Sequence, residues 1–285
     1  MRITSDTEID GLLSRLTDDI RRSLYDSLVG LYLYGSLVTG DFDKKNSDID
    51  LLAVVRSDVV GHDFDRLDAM HERFIEDHPA WDDRIEVAYV SAPALRRFKT
   101  QTSNIAVVSP GEPFHLKEAG KDWLINWYVV REIGVTLFGP SPRTVIPEIS
   151  KAEFVEGVRS QSRDWAEWVY RMRHRGEQSY AVLTMCRALY ACTHGEQVSK
   201  KVAALWAQTY LPQWASLIQR AWDWRSEGQD EVAADEATFS EVVRFVHYVI
   251  GRVAGARGEH VSLPRRTDTT ARRCRPGAEG KSGTR

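Results

Sequence analysis

The sequence predicts a fold of class α/β plus all-α, an N-terminal α/β domain followed by a C-terminal helical bundle. Three observations predict it. Short apolar strand-like runs bounded by turn residues are confined to the first half. Helical periodicity with few strand signals fills residues 150 to about 255. The length of 285 residues also exceeds what one compact core usually fills. The boundaries expected are 1–145 for the first domain, 146–257 for the second, and 258–285 for a disordered tail, polar and nearly free of large apolar residues.

Taken in order, Ile9, Leu12, Leu16, Ile20 and Leu24 recur at helical spacing over residues 5 to 28, with Ser5 and Glu8 as a capping box. "GLYLYG" and "DIDLLAVV" read as strands. Leu67, Met70 and Phe74 mark a helix over 64 to 77, ended by Pro79. "RIEVAYV" is a third strand. Residues 101 to 120 carry no clear pattern. An aromatic-rich helix follows from about Asp122, and "VTLFGPSP" is a short strand running into a turn. In the second half, Ser150 with Glu153 and Thr238 with Glu241 read as capping boxes, and Gly195 as a helix stop.

Composition narrows the function. Residues 251–285 carry nine Lys or Arg against three Asp or Glu, so with a net charge of -3 the other 250 residues sum to -9. An acidic body disfavours a nucleic-acid partner and suits a cationic one, although acidity also simply favours solubility. No window is apolar enough for a membrane span, and the start shows no secretory signal. With Cys186, Cys192 and Cys274 unpatterned, a cytoplasmic protein is expected. Spacings for a zinc site, a nucleophile elbow and a Walker loop are all missing.

The chemistry concentrates in "LYLYGSLVTGDFDKKNSDIDLL", residues 31–52. Alternation along a strand sends Asp48 and Asp50 to one face, with Ile49 and Leu51 on the other. Two adjacent carboxylates repel unless a cation compensates, and Mg²⁺ carrying substrate phosphates is the usual hard-ligand solution. Gly35 allows close backbone approach, and Ser36 offers a hydroxyl and an amide to phosphate oxygens. Glu86, an isolated charge in the third strand, is the best third carboxylate, ahead of Asp82 and Asp83 in the preceding turn.

Gly-Ser, eleven residues, Asp-Ile-Asp and a later strand acid together resemble the nucleotidyltransferase superfamily of the DNA polymerase β type. The helical half is similar to the aminoglycoside 3''/9 adenylyltransferases, in "VLTMCRALYACTHGEQVSKKVAALWA", "YLP" and "FVHYV", so that the likeness spans about residues 25 to 255. The resemblance implies a monomeric enzyme that moves AMP from ATP to a hydroxyl of a small cationic acceptor. Asp48, Asp50 and Glu86 would hold two Mg²⁺ ions, and Glu86 would be the general base. Gly35, Ser36, Ser47, Arg187 and Lys200 would bind the nucleotide, and Trp168 and Glu177 would face the acceptor. As plain sequence, Arg187, Lys200 and Glu177 also read as solvated helix charges and Trp168 as core.

Two departures stand out. Arg173 occupies the place of a substrate-facing acid, which implies weaker recognition of guanidinium-bearing streptomycin than of spectinomycin. "AWDWR", residues 221–225, replaces a tyrosine near the nucleotide, and "SPGEPFHLKEAG" has no counterpart to a substrate-contacting loop. The alternatives are an adenylyltransferase acting on a protein or tRNA, and a non-catalytic nucleotide-binding regulator.

Overall fold

The computed structural model describes residues 3–4, 6–227 and 235–255. The chain begins with α1 (Thr7–Leu24), then β1 (Leu28–Tyr34), the single turn α2 (Ser36–Thr39), β2 (Ile49–Val55), α3 (His62–Asp77), β3 (Ile85–Ser91) and α4 (Ala92–Arg97). A hairpin of β4 (Ser103–Ser109) and β5 (Glu112–Ala119) follows, with α5 (Leu124–Ile133), β6 (Val135–Phe138) and α6 (Pro142–Val145). The helical half consists of α7 (Lys151–Trp168), α8 (Arg175–His194), α9 (Lys200–Tyr210), α10 (Ala215–Ser226) and α11 (Glu236–Gly255). Among the described residues no helix is long and apolar enough to cross a membrane.

The strands form one six-stranded sheet in the order β5-β4-β3-β2-β1-β6. Only β2 and β3 pair in parallel, joined through α3, and the other neighbours are antiparallel. The pleat sorts the side chains into two cores. Leu31, Leu33, Ile49, Leu51 and Val87 pack under α1 and α3. Tyr32, Tyr34, Leu52, Val54 and Ala88 face the other way, into a core continuous with the helical half. Asp50 therefore points to the face that the bundle covers. All five periodic residues of α1 are buried, as their spacing requires.

The hairpin is the element that residues 101–120 did not announce. β5 lies at the sheet edge and buries only Phe114 and Ala119, so its sequence is mostly polar. An edge strand tolerates Pro113 and benefits from Lys117, and Gly111 supplies the positive φ of the turn.

Ser150 and Glu153 form the expected reciprocal box, and Gly195 ends α8 in the left-handed conformation. Two other caps need correction. Asp6 accepts from the Glu8 and Ile9 amides and caps α1; Ser5 lies outside the described residues. Asp235 accepts from the Thr238 amide and hydroxyl, so α11 starts at Glu236, ahead of the expected Thr238 box. A carboxylate is as good an N-cap as a hydroxyl and better matched to the helix dipole. The expected tail, from residue 258, lies outside the described residues.

Candidate active site

Strand register builds the acidic wall. Asp50 pairs with Tyr34 of β1 on one side and with Glu86 of β3 on the other, so the three side chains form one row on the bundle-facing side of the sheet. Asp48 precedes β2 and joins them by alternation. Gly35 follows β1 directly with φ of 71°, and a Cβ there would lie 1.8 Å from Asp50 Oδ2. Glycine is thus required twice over, by conformation and by the space the carboxylate occupies. Ser36 opens α2. Ser47 is buried; its hydroxyl accepts from the Asp43 amide at 3.0 Å and its carbonyl from Arg84 Nη2 at 2.5 Å.

The electrostatics are those of a crowded anionic site. Burial, then Glu86 and Asp48, hold Asp50 well above the usual carboxylate range, with Lys200 and Arg187 opposing. Burial and Asp48 raise Glu86, against Lys117 and a hydrogen bond from Tyr34. Asp48 is also raised by burial, while Lys200, Arg84 and Arg225 pull the other way. Tyr34 is held well above its ordinary value by burial and by Glu86 and Asp50, and it also hydrogen-bonds Asn126.

The opposite wall is cationic and comes from the helical half. Arg187 belongs to α8, Lys200 opens α9, and Arg225 sits in the last turn of α10. Burial first, then Arg187 and Arg225, press Lys200 down to about 7, although Asp48 and Asp50 favour its charge. Burial likewise lowers Arg187, whose Nε is buried without a hydrogen-bond partner. Lys200 Nζ lies 4.6 Å from the centre of the Tyr180 ring, a cation–π contact.

The two walls enclose a cleft of about 440 Å³. Gly35, Ser36, Ser47, Asp48, Asp50, Glu86, Trp168, Arg187 and Lys200 all line it. Among the described residues, no three His, Cys, Asp or Glu side chains by themselves make a preformed metal cage. Mg²⁺ rarely uses one; one or two carboxylates with water and substrate phosphates suffice, and this hard-oxygen set with its mutual repulsion fits that ion.

Two residues expected to govern the acceptor are placed elsewhere. Glu177 does not line the cleft. Its Oε2 accepts from the Arg173 and His174 amides at 2.6 and 2.9 Å and so caps the start of α8. Arg173 is exposed, with its guanidinium 4.1 Å from the centre of the Phe239 ring. Trp168 is 41% exposed at the cleft and meets Trp165 edge-on. The cleft is also lined by Ile125, Val129, Trp165, Met172 and Tyr180, with Asn126 and Gln161 as neutral polar groups. Sequence reasoning missed Tyr34, Asn126 and Asp41 as cleft residues, and noted Arg225 only as part of "AWDWR".

A parallel β2–β3 pair carrying carboxylates, faced by cations across a cleft, is an arrangement that suits nucleotidyl transfer, and the comparisons agree. Residues 14–100 match the nucleotidyltransferase domain, and residues 144–252 match the C-terminal domain of aminoglycoside adenylyltransferases. An aminoglycoside (3'') (9) adenylyltransferase of Shigella flexneri is 27% identical over 279 residues, covering 91% of this chain and all of the relative. A spectinomycin 9-adenylyltransferase of Staphylococcus aureus (strain N315) is 24% identical over 208 residues, 65% of this chain and 73% of that one. The fold is also that of a spectinomycin adenyltransferase from Enterococcus faecialis crystallised with ATP and spectinomycin. That likeness has a TM-score of 0.66 at 17% identity, over 86% of this chain and 98% of the other. The chain thus carries a nucleotidyltransferase domain followed by the C-terminal domain of aminoglycoside adenylyltransferases, and it is similar to the aminoglycoside (3'') (9) adenylyltransferases over nearly its whole length.

Proposed function

We propose that the protein transfers AMP from ATP to a hydroxyl of a compact, aminoglycoside-type acceptor, and that it does so with Mg²⁺. The observation that carries this reading is the opposition of Asp48, Asp50 and Glu86 to Arg187, Lys200 and Arg225 across one cleft. A polyanion bridged to the acidic wall by divalent cations satisfies both walls at once. The named activities of the relatives point the same way.

Asp48 and Asp50 are the residues that would hold two Mg²⁺ ions, which supply Lewis acidity to orient the triphosphate and acidify the acceptor hydroxyl. Gly35 keeps the backbone out of the Asp50 carboxylate, and Ser36 and Ser47 border the phosphates. Glu86, oriented by Tyr34, takes the hydroxyl proton as the acceptor oxygen forms its bond to the α-phosphorus. The bond from the α-phosphorus to the bridging oxygen breaks, and pyrophosphate leaves with its charge met by Arg187 and Lys200. Burial of those two cations sharpens their interaction with an anion, because less water screens it.

The acceptor stacks on Trp168. With Glu177 engaged in its cap, the described acceptor wall offers aromatic and neutral polar contacts in place of acids. Such a wall suits spectinomycin over streptomycin, whose guanidinium groups need carboxylate partners. ATP use fits a cytoplasmic enzyme with free Cys186 and Cys192. A monomer suffices, because both walls come from one chain.

The test is incubation with ATP, Mg²⁺ and a panel including both drugs, following pyrophosphate and product mass. Spectinomycin should gain one adenylyl group, faster than streptomycin. Pyrophosphate release with no panel member would remove the aminoglycoside part of the reading.

A further inference from the structure

The loop between α2 and β2, which delivers Asp48, is pinned to the helical half at two points. At its start, Asp41 Oδ2 accepts from the Lys201 amide at 3.2 Å, at the beginning of α9. At its end, Asn46 and Arg225 bind reciprocally. Asn46 Nδ2 donates to the Arg225 carbonyl at 2.9 Å, and Arg225 Nη2 donates to the Asn46 carbonyl at 3.4 Å. These groups are 179 residues apart in sequence. Asn46 lies two residues before Asp48, and Arg225 lines the same cleft as Asp48, Arg187 and Lys200.

Arg225 has five N–H donors in a rigid fork, and the long bond to Asn46 engages one of them. Its charge repels Lys200 and Arg187 and attracts Asp48, and all four line one cleft. A third cation beside two others raises the energy of the nucleotide-free cleft, and a ligand carrying several negative charges relieves it. The segment 221–225 stands where the resemblance has a tyrosine near the nucleotide, and Arg225 brings a charge to it.

We propose that Arg225 is a third phosphate-binding cation of the nucleotide site, and that Asn46 is a positioning residue that aims it and ties its grip to the loop bearing Asp48. This inference rests on the nucleotide reading above and adds a residue to it. Arg225 contacts the pyrophosphate half of ATP, together with Arg187 and Lys200, so that it discriminates nucleoside triphosphates from monophosphates.

The experiment is calorimetric titration of the full chain with ATP, and separately with AMP, in Mg²⁺ and without acceptor. Arg225→Ala should weaken ATP about 10- to 100-fold while changing AMP by less than about threefold, the loss expected for charge-assisted bonds to phosphate. Arg225→Lys should recover part of the loss. Asn46→Ala should weaken ATP about 3- to 10-fold, and the double variant should be no weaker than Arg225→Ala alone, because Asn46 acts through Arg225. A merely structural Asn46 would add its own loss, which overturns the positioning role. Equal loss of ATP and AMP would mean that Arg225 serves only to neutralise Asp48, and unchanged ATP affinity would remove it from the site. If Arg225→Ala does not fold, Arg225→Gln with ATP affinity within about twofold of wild type and an unaltered salt dependence of binding would overturn the proposal. Failure of the wild type to bind ATP would overturn the nucleotide site itself, a different outcome from an indifferent Arg225.

Discussion

Asp50 stands opposite Glu86 across the parallel pairing of β2 with β3, two carboxylates in register on a face that the helical half covers. The arrangement is unfavourable in the empty protein, since burial and mutual repulsion lift both residues above the usual carboxylate range. Asp50→Asn should therefore abolish transfer while leaving the metal-free protein as stable or more stable.

The same repulsion sets a pH dependence. A carboxylate whose folded pKa is raised contributes stability that is fully present below its unfolded value near 4 and lost as pH rises through the folded value. The metal-free protein should therefore gain stability as pH falls from neutral toward about 5, and Mg²⁺ with ATP should flatten that gain. Melting temperature measured against pH in chelator, for wild type and Asp50→Asn, checks the sign. A wild-type curve no steeper than that of the variant would contradict it.

Glu86→Gln keeps the shape of the side chain and removes its basicity. The rate should fall on the order of 10²- to 10⁴-fold with ATP binding largely kept. Loss of ATP affinity in the same proportion would make Glu86 chiefly a metal ligand, and single-turnover rates beside binding titrations separate the two.

Gly35→Ala forces a Cβ to within 1.8 Å of Asp50 Oδ2 at a positive φ. The strain of that conformation alone, in a region of positive φ that essentially only glycine occupies, costs on the order of 1–3 kcal/mol, and the displaced carboxylate should remove activity besides. Denaturant unfolding and turnover should both register the change. A variant with wild-type turnover would show that Asp50 has room to move without consequence.

Lys200, held near 7 by burial and by its cationic neighbours, is only partly charged in the free protein at neutral pH. Bound triphosphate favours the charged form, so ATP binding above pH 7 should take up a proton. Calorimetry of ATP binding at pH 8, in buffers of different ionisation enthalpy, measures that uptake directly. Lys200→Met should abolish it.

What the sequence made legible was what local pattern encodes. Asp50 and Glu86 stood out because each interrupts an apolar strand, and Asp48 because alternation sends it to the same side as Asp50. Tyr34 did not, because its place beside Asp50 is set by the pairing of β1 with β2, and its own letter suits any core. The hairpin of β4 and β5 was hidden because an edge strand buries so little. Glu177 caps the start of its own helix through amides three and four residues back, whereas Arg173 lies over Phe239 of α11, a neighbour non-local to the motif. Asn46 and Arg225 meet across 179 residues of sequence, a juxtaposition that no local window contains.

Nucleotidyl transfer is decided most directly by the fate of the phosphates of ATP. ATP labelled at the α-phosphorus or at the γ-phosphorus is incubated with the protein, Mg²⁺ and spectinomycin, and the products are separated. Transfer of AMP predicts α-label in the modified acceptor, γ-label in pyrophosphate alone, and neither with Asp50→Asn. Appearance of γ-label in the acceptor would make the protein a phosphotransferase and contradict the roles of Asp48, Asp50 and Glu86 in adenylyl transfer.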